Sequence, residues 1–178
     1  ELETGTGGEV LAMVQVNPSG VDEGVVRAEL AAMAAVLRAA AAAAAPPVPL
    51  SALTAQVHEG CSNAAPAEAP QAPMEEGGEA REGCVHESMC GLRFRVSPTA
   101  FFQVNTCAAE ALYELAGDWA GPGPETLLVD VCSGTGTIGL TMARKVGQVL
   151  GIELVQAATD DAVANAEANG VRNARFVC

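Results

Sequence analysis

Between Val10 and Val16 the apolar residues Val10, Ala12, Val14 and Val16 alternate with the positions between them, and Asn17-Pro18-Ser19-Gly20 closes the run with turn-forming residues. A two-residue period of this kind predicts a strand. From Asp22 to Arg38 the period changes: Val26, Leu30, Met33 and Leu37 fall at i, i+4, i+7 and i+11, with acids near the start. That spacing predicts an amphipathic helix whose first turn complements its dipole. Alanine then continues to Ala45, where Pro46 and Pro47 must end any helix. A second strand is predicted over Leu50 to His58. Residues 60–83 carry Pro66, Pro70 and Pro73 among glycines and acids with almost no large apolar side chain. Such a stretch cannot offset the entropy of ordering, and it reads as a disordered insertion.

The pattern resumes with a hairpin, Val85 to Met89 and Leu92 to Val96 around a turn near Cys90-Gly91. Asn105 or Thr106 is placed to cap the next helix, whose packed face is expected to be Leu112, Leu115, Ala116 and Trp119 before Gly121-Pro-Gly-Pro124 ends it. Leu127 to Val131 is a short continuous apolar run, which suits a strand buried on both faces of a parallel sheet. A glycine-rich turn, a helix to about Lys145, a strand over Val149 to Glu153, a helix to about Asn169 and a strand over Ala174 to Cys178 follow. Strand, helix, strand, helix, strand predicts an α/β fold, the first part of a doubly wound sheet. The expected organisation is a small α+β subdomain over 9–98, holding the Ala/Pro-rich run at 39–47 and the insertion at 60–83, and then a cofactor-binding domain over 99–178.

Composition narrows the class. The 178 residues are 49% hydrophobic, 3% aromatic and 17% charged, much of the apolar fraction being alanine. This excludes collagen, coiled coil and an all-charged disordered chain. The alanine run between Arg38 and the prolines is too short and too weakly apolar to span a bilayer, so no membrane partner is expected. The six cysteines are read as reduced thiols of an intracellular protein, in cytoplasm or nucleus with an organelle left open. The net charge is −13: residues 1–90 hold 13 acids against three arginines, and the remainder nine acids against six basic residues. Neither half carries the basic footprint usual for nucleic-acid binding. The first residue is Glu, and the series stops at a third strand; the chain is therefore expected to be a piece of a longer protein. Cys84-x-His86-x-x-x-Cys90, near His58 and Cys61, lacks the tight repeated spacing of zinc ligands, and no metal is expected.

The informative chemistry lies in Val129-Asp-Val-Cys-Ser-Gly-Thr-Gly-Thr-Ile-Gly139. Gly134, Gly136 and Gly139 make G-x-G-x-x-G, and Glu153 stands about twenty residues on at the end of the next strand, where it can accept from both ribose hydroxyls. That spacing alone does not separate a dinucleotide from S-adenosylmethionine. Asp130 decides between them. A carboxylate beside the turn repels a pyrophosphate, whereas S-adenosylmethionine brings an ammonium and a sulfonium cation and no phosphate. No Gly-Lys-Ser/Thr follows, which excludes a P-loop. The plainer alternative is that the glycines only make a tight strand-to-helix turn.

Three segments carry a resemblance: Gly91-Leu-Arg-Phe-Arg-Val-Ser-Pro-Thr-Ala-Phe-Phe-Gln-Val-Asn-Thr106, Asp130-Val-Cys-Ser-Gly-Thr-Gly-Thr-Ile-Gly139, and Ala143-Arg-Lys-Val146 leading to Gly151-Ile-Glu-Leu154. The chain resembles the S-adenosylmethionine-dependent RNA (uracil-5-)-methyltransferases, in particular the eukaryotic tRNA enzymes that make 5-methyluridine. Phe101-Phe-Gln-Val-Asn105 is the most specific of these matches. The resemblance implies the N-terminal half of a Rossmann-like class I methyltransferase sheet, preceded by a small α+β subdomain. It implies S-adenosylmethionine as cofactor, contacted by Gln103 and Glu153, with Asp130, Gly134 and Gly136 around the methionine moiety and Cys132 a small buried side chain lining it. It further implies tRNA as substrate, no DNA partner, and a monomer.

The family's chemistry is also implied. Carbon 5 of uracil is a poor nucleophile, so an enzyme thiolate first adds to carbon 6, and a general base later removes the carbon 5 proton. The family's nucleophilic Cys and basic Glu correspond to positions beyond Cys178, so no catalytic residue is assigned in this chain. Arg93 and Arg95, alternating on one strand, are expected at a solvated edge. Two other readings stay open: a non-catalytic RNA-binding or tRNA-folding module that keeps the cofactor fold, and a class I methyltransferase with another substrate.

Overall fold

In the computed structural model, which describes residues 2–4, 8–59, 69–74 and 83–178, the chain divides between Val85 and His86 into two units. The first unit holds a four-stranded sheet in the order β1 (Leu2–Thr4), β2 (Val10–Val16), β3 (Leu50–Val57) and β4 (Gln71–Pro73). β2 and β3 are parallel and are connected by helix α1 (Glu23–Ala43), while β1 and β4 flank them antiparallel. Asp22 caps α1, its carboxylate accepting from the backbone N–H of Gly24 and Val25. The helix ends at Ala43, before Pro46. Ala34 is its buried residue, with Leu30 and Leu37 beside it against Ala12, Leu53 and Ala55. Met33, expected on the packed stripe, is exposed. Two of the facing strand residues, Ala12 and Ala55, are themselves small, so Ala34 lets the helix approach closely there.

Within the segment expected to be a disordered insertion, residues 60–68 and 75–82 lie outside the described residues. Residues 69–74 are ordered: Gln71–Pro73 pairs with Thr54, Ala55 and Gln56, and Met74 is buried against Ala12, Leu53 and Ala55. Met74 is the one large apolar side chain in 60–83, and it supplies the burial that fixes this short edge strand.

The second unit takes in, from His86 on, the hairpin of β5 (Val85–Met89) and β6 (Leu92–Val96), turned at Cys90 and Gly91, both with positive φ. Helix α2 (Thr106–Ala120) is capped by Asn105, whose side chain accepts from Ala108 N–H, and it ends at left-handed Gly121. Strands β7 (Leu127–Val131), β8 (Gln148–Ile152) and β9 (Ala174–Val177) are parallel and adjacent in that order. Helix α3 (Thr137–Met142), followed by a 3₁₀ turn at Ala143–Lys145, connects β7 to β8, and α4 (Gln156–Ala168) connects β8 to β9. The hairpin, assigned from sequence to a unit ending at 98, packs instead in this unit. Met89, Leu92 and Phe94 share its core with Tyr113, Leu140 and Phe176.

Two expectations about faces are corrected. On α2 the buried residues are Ala109, Tyr113 and Gly117, and Leu112, Leu115 and Trp119 are exposed, Trp119 at 82%. One large ring between two small residues at four-residue spacing lets the helix approach closely: a Cβ on Gly117 would stand 3.2 Å from Lys145 Nζ. Strand β7 is covered on one face only. Asp130 is buried and Leu128 is half-buried against Ala143, Val146 and Val149, while Leu127, Val129 and Val131 are exposed.

Candidate functional site

At the end of β7 the chain reverses sharply around the C-terminal end of β8. The N–H groups of Cys132 and Ser133 both donate to Ile152 O, at 2.8 and 3.1 Å, and Gly136 N–H returns to Ser133 O at 2.9 Å. Gly134 (φ +55) and Gly136 (φ +81) adopt the left-handed region. Their surroundings differ. A Cβ on Gly136 would lie 2.9 Å from Phe176 Cζ, whereas one on Gly134 would meet nothing within 4 Å. Gly136 is thus required by packing, and Gly134 presents bare backbone to an open side. Gly139 lies under Asp130, donating its N–H to Asp130 Oδ2 at 2.9 Å. Cys132 also has positive φ (+63), unusual for a residue with a side chain, and it is exposed rather than buried: the bend that directs its N–H to Ile152 turns its side chain out of the core.

Glu153, one residue past β8, fastens the turn. Its Oε2 accepts from Gly134 N–H at 2.9 Å and its Oε1 from Leu154 and Val155 N–H at 2.8 and 2.9 Å. The Val155 N–H, with those of Gly134 and Leu154, holds its carboxyl below the usual range against a smaller opposing effect of burial. Burial pushes the Asp130 carboxyl up, and the Gly139 N–H offsets only part of that. The two acids therefore act oppositely on stability. The Glu153 contribution is present at neutral pH and is lost as pH falls through its lowered value. Asp130 favours the folded state below the ordinary carboxyl range and loses that contribution as pH rises through its raised value. Carboxyl-carbon NMR is expected to show Glu153 titrating below an ordinary glutamate and Asp130 above an ordinary aspartate; the reverse order would contradict the geometry.

Of the residues singled out in the sequence, Asp130, Gly134, Gly136 and Glu153 are brought together. Gln103 lies half-buried between β6 and α2, next to Phe102, whose ring packs on Phe94 of β6 with centroids 6.0 Å apart. No hydrogen bond joins it to the turn among the described residues. Arg95, expected at a solvated edge, is half-buried and its Nε lies 3.5 Å from Asp161 Oδ1. Sequence reasoning passed over Ser133 and Thr135, whose buried hydroxyls have no hydrogen-bond partner among the described residues. It also passed over Asn165, which donates to Thr135 O at 3.1 Å. The signal for Asn165 was present, since Asp161, Asn165 and Asn169 make a polar stripe at four-residue spacing on a helix. Residues 130–139 contain no Lys or Arg, so the turn offers carboxylates, hydroxyls and backbone groups, a set suited to hydroxyl and cationic ligand groups and not to a pyrophosphate.

No family model matches the sequence. A zinc finger CCCH domain-containing protein 24 of Arabidopsis thaliana is 47% identical over 96% of this chain and 22% of its own length. The human tRNA (uracil-5-)-methyltransferase homolog A is 52% identical over 56% of this chain and 16% of its own length. The mouse tRNA (uracil-5-)-methyltransferase homolog B is 50% identical over 52% and 19%. The chain thus spans about a fifth of the length of the curated relatives it matches. Among solved structures, the Pyrococcus abyssi tRNA (uracil-54, C5)-methyltransferase in complex with S-adenosyl-L-homocysteine superposes with a TM-score of 0.63 over 99% of this chain and 37% of its own, at 18% identity. The fold shared with that structure is α/β and Rossmann-like. Over about half its length the chain is similar to proteins named tRNA (uracil-5-)-methyltransferase homologs A and B, and the resemblance carried by its motifs is borne out.

Proposed function

We propose that this chain provides the S-adenosylmethionine-binding portion of an enzyme that methylates carbon 5 of a uridine in tRNA. The observation that carries this reading is the glycine turn held between two carboxylates, Asp130 beneath it and Glu153 on Gly134, in a chain related to tRNA (uracil-5-)-methyltransferases. When bound, the cofactor supplies an electrophilic methyl group on a sulfonium. Glu153 is placed to accept from the ribose hydroxyls, exchanging backbone partners for them. Bare Gly134 lets the backbone approach the methionine portion, Gly136 seats the turn against Phe176, and Asp130 sets a negative charge beneath it. Gln103 is assigned a cofactor contact by the motif around it. The finer mechanism, thiolate addition to carbon 6 of uracil, rests on the family resemblance and assigns no residue here. The same reading takes the small unit before the hairpin as the family's central subdomain, and the protein as monomeric and intracellular.

The full chain is expected to bind S-adenosylhomocysteine in calorimetry, and deletion of the gene is expected to remove 5-methyluridine from tRNA. Retention of 5-methyluridine together with cofactor binding would favour a class I methyltransferase with another substrate.

A further inference from the structure

The edge of β6 away from β5 is not left to solvent. Two side chains of α4 and that of its C-cap, Asn169, one turn apart, take the place of a neighbouring strand. Ser97 N–H donates to Asp161 Oδ2 at 3.2 Å, Arg95 N–H to Asn165 Oδ1 at 2.7 Å and Arg93 N–H to Asn169 Oδ1 at 2.9 Å. The two amides also return bonds to the strand, Asn165 Nδ2 to Arg95 O at 3.2 Å and Asn169 Nδ2 to Arg93 O at 2.7 Å. Asn165 differs from the other two. It is 1% exposed, and the same Nδ2 donates to Thr135 O inside the glycine turn. Its partners, one N–H on one side and two carbonyls on the other, fix which way the amide faces.

A short path therefore joins the two segments expected to hold the cofactor. From Thr135 it runs through the Asn165 amide to Arg95 of β6. From the neighbouring Phe94 it runs through ring contact to Phe102, which adjoins Gln103. We propose that Asn165 is a positioning residue for cofactor binding: it holds the glycine turn in fixed register with the strand that places Gln103, so that both sides of the site are set before ligand arrives. This rests on the cofactor reading above. Preorganisation of this kind acts on affinity beyond its effect on stability, since a turn free to shift must be ordered at the moment of binding.

Asn169 supplies the control. It fastens the same strand with equivalent bonds, and no bond joins it to the turn among the described residues. In the full chain, Asn169→Ala is expected to lower the melting temperature while keeping the dissociation constant for S-adenosylhomocysteine within twofold. Asn165→Ala is expected to raise that constant about tenfold. Asn165→Asp, which keeps an acceptor for Arg95 N–H and loses the donor to Thr135 O, is expected to do the same and serves if the alanine variant does not fold. Hydrogen exchange without ligand reads the hold directly: the Gly134 and Gly136 amides should exchange faster in the Asn165 variants and unchanged in Asn169→Ala. Unaltered exchange in the turn, or altered exchange with affinity kept within twofold, overturns the proposal. Faster exchange in a protein whose parent does not bind S-adenosylhomocysteine leaves Asn165's hold on the turn standing and removes the cofactor reading.

Discussion

Gly151→Ala is expected to lower the stability of the second unit by at least about 2 kcal/mol, at the upper end of what overpacking costs. A Cβ at this position on β8 would stand 2.2 Å from Phe176 Cδ1 and 2.5 Å from Cε1, far inside the 3.5–4.0 Å of carbon contact, and 2.9 Å from Ser133 Oγ. The ring has no ready escape. It is buried on the neighbouring strand, and its far edge already lies against the backbone of Gly136, where a Cβ would be 2.9 Å from Cζ. Phe176 therefore sits between two glycines, one in the sheet and one in the candidate cofactor turn, and a methyl group on the first pushes the ring toward the second. Urea unfolding of Gly151→Ala, Phe176→Leu and the double variant tests this. The double variant should be less destabilised than the sum of the singles by about 1 kcal/mol or more, the coupling expected for side chains in direct conflict. Gly123→Ala is the matching control, because a Cβ there meets nothing within 4 Å and the φ is not left-handed; it should change stability by no more than about 0.5 kcal/mol. A Gly151→Ala protein as stable as that control would remove the steric account.

Glu153→Ala is expected to weaken S-adenosylhomocysteine binding at least tenfold, about 1.4 kcal/mol. Two losses combine. The acceptor proposed for the ribose hydroxyls goes, and so do three carboxylate bonds, to Gly134, Leu154 and Val155, that close the turn without ligand. Glu153→Gln should recover little, since an amide offers one acceptor oxygen where the carboxylate uses two, and its NH₂ would face an N–H. Asp130→Ala is expected to lose a similar factor by another route. It frees the Gly139 N–H at the start of α3 and removes the buried charge proposed beneath the methionine moiety. Calorimetric titration of the three variants decides the matter: unchanged affinity in both Glu153→Ala and Asp130→Ala would sink the assignment of this turn as a cofactor site.

Much of this site was legible because its residues act close to where they stand in the chain. The strand at Leu127, the turn at Gly134 to Gly139 and Glu153 at the end of the next strand follow a spacing that one βαβ unit imposes, so sequence distance and spatial distance agree. The same holds for the hairpin at Cys90-Gly91 and the cap at Asn105, both set by a few adjacent residues. What escaped depends on partners far along the chain. Nothing near Arg95 announces that Asn165 will occupy the edge of its strand, and nothing near Leu112 announces that the helix will turn Tyr113 inward. On α1 the expected Leu30 and Leu37 do pack, but Ala34 and not Met33 is the buried residue between them, and on α2 Ala109 and Gly117 flank a buried Tyr113 while the expected leucines and Trp119 face out. Apolar periodicity ranks residues by size, whereas close approach of a helix rewards the absence of size. Met74 shows the converse, one methionine in a proline-rich stretch supplying the burial beside the three-residue strand Gln71–Pro73.

The polar stripe on α4 also sets an order of events during synthesis. Arg95 and Asn165 are separated by 70 residues. At roughly 5–20 residues per second, β6 leaves the ribosome several seconds before the helix that closes its edge. For that interval a strand carrying Phe94 stands with an unsatisfied side, and the turn that Asn165 ties to it has no fixed place. The geometry proposed for ligand binding therefore forms only after Asn165 has emerged, and a nascent chain halted before that residue is expected to leave the edge of β6 unpaired.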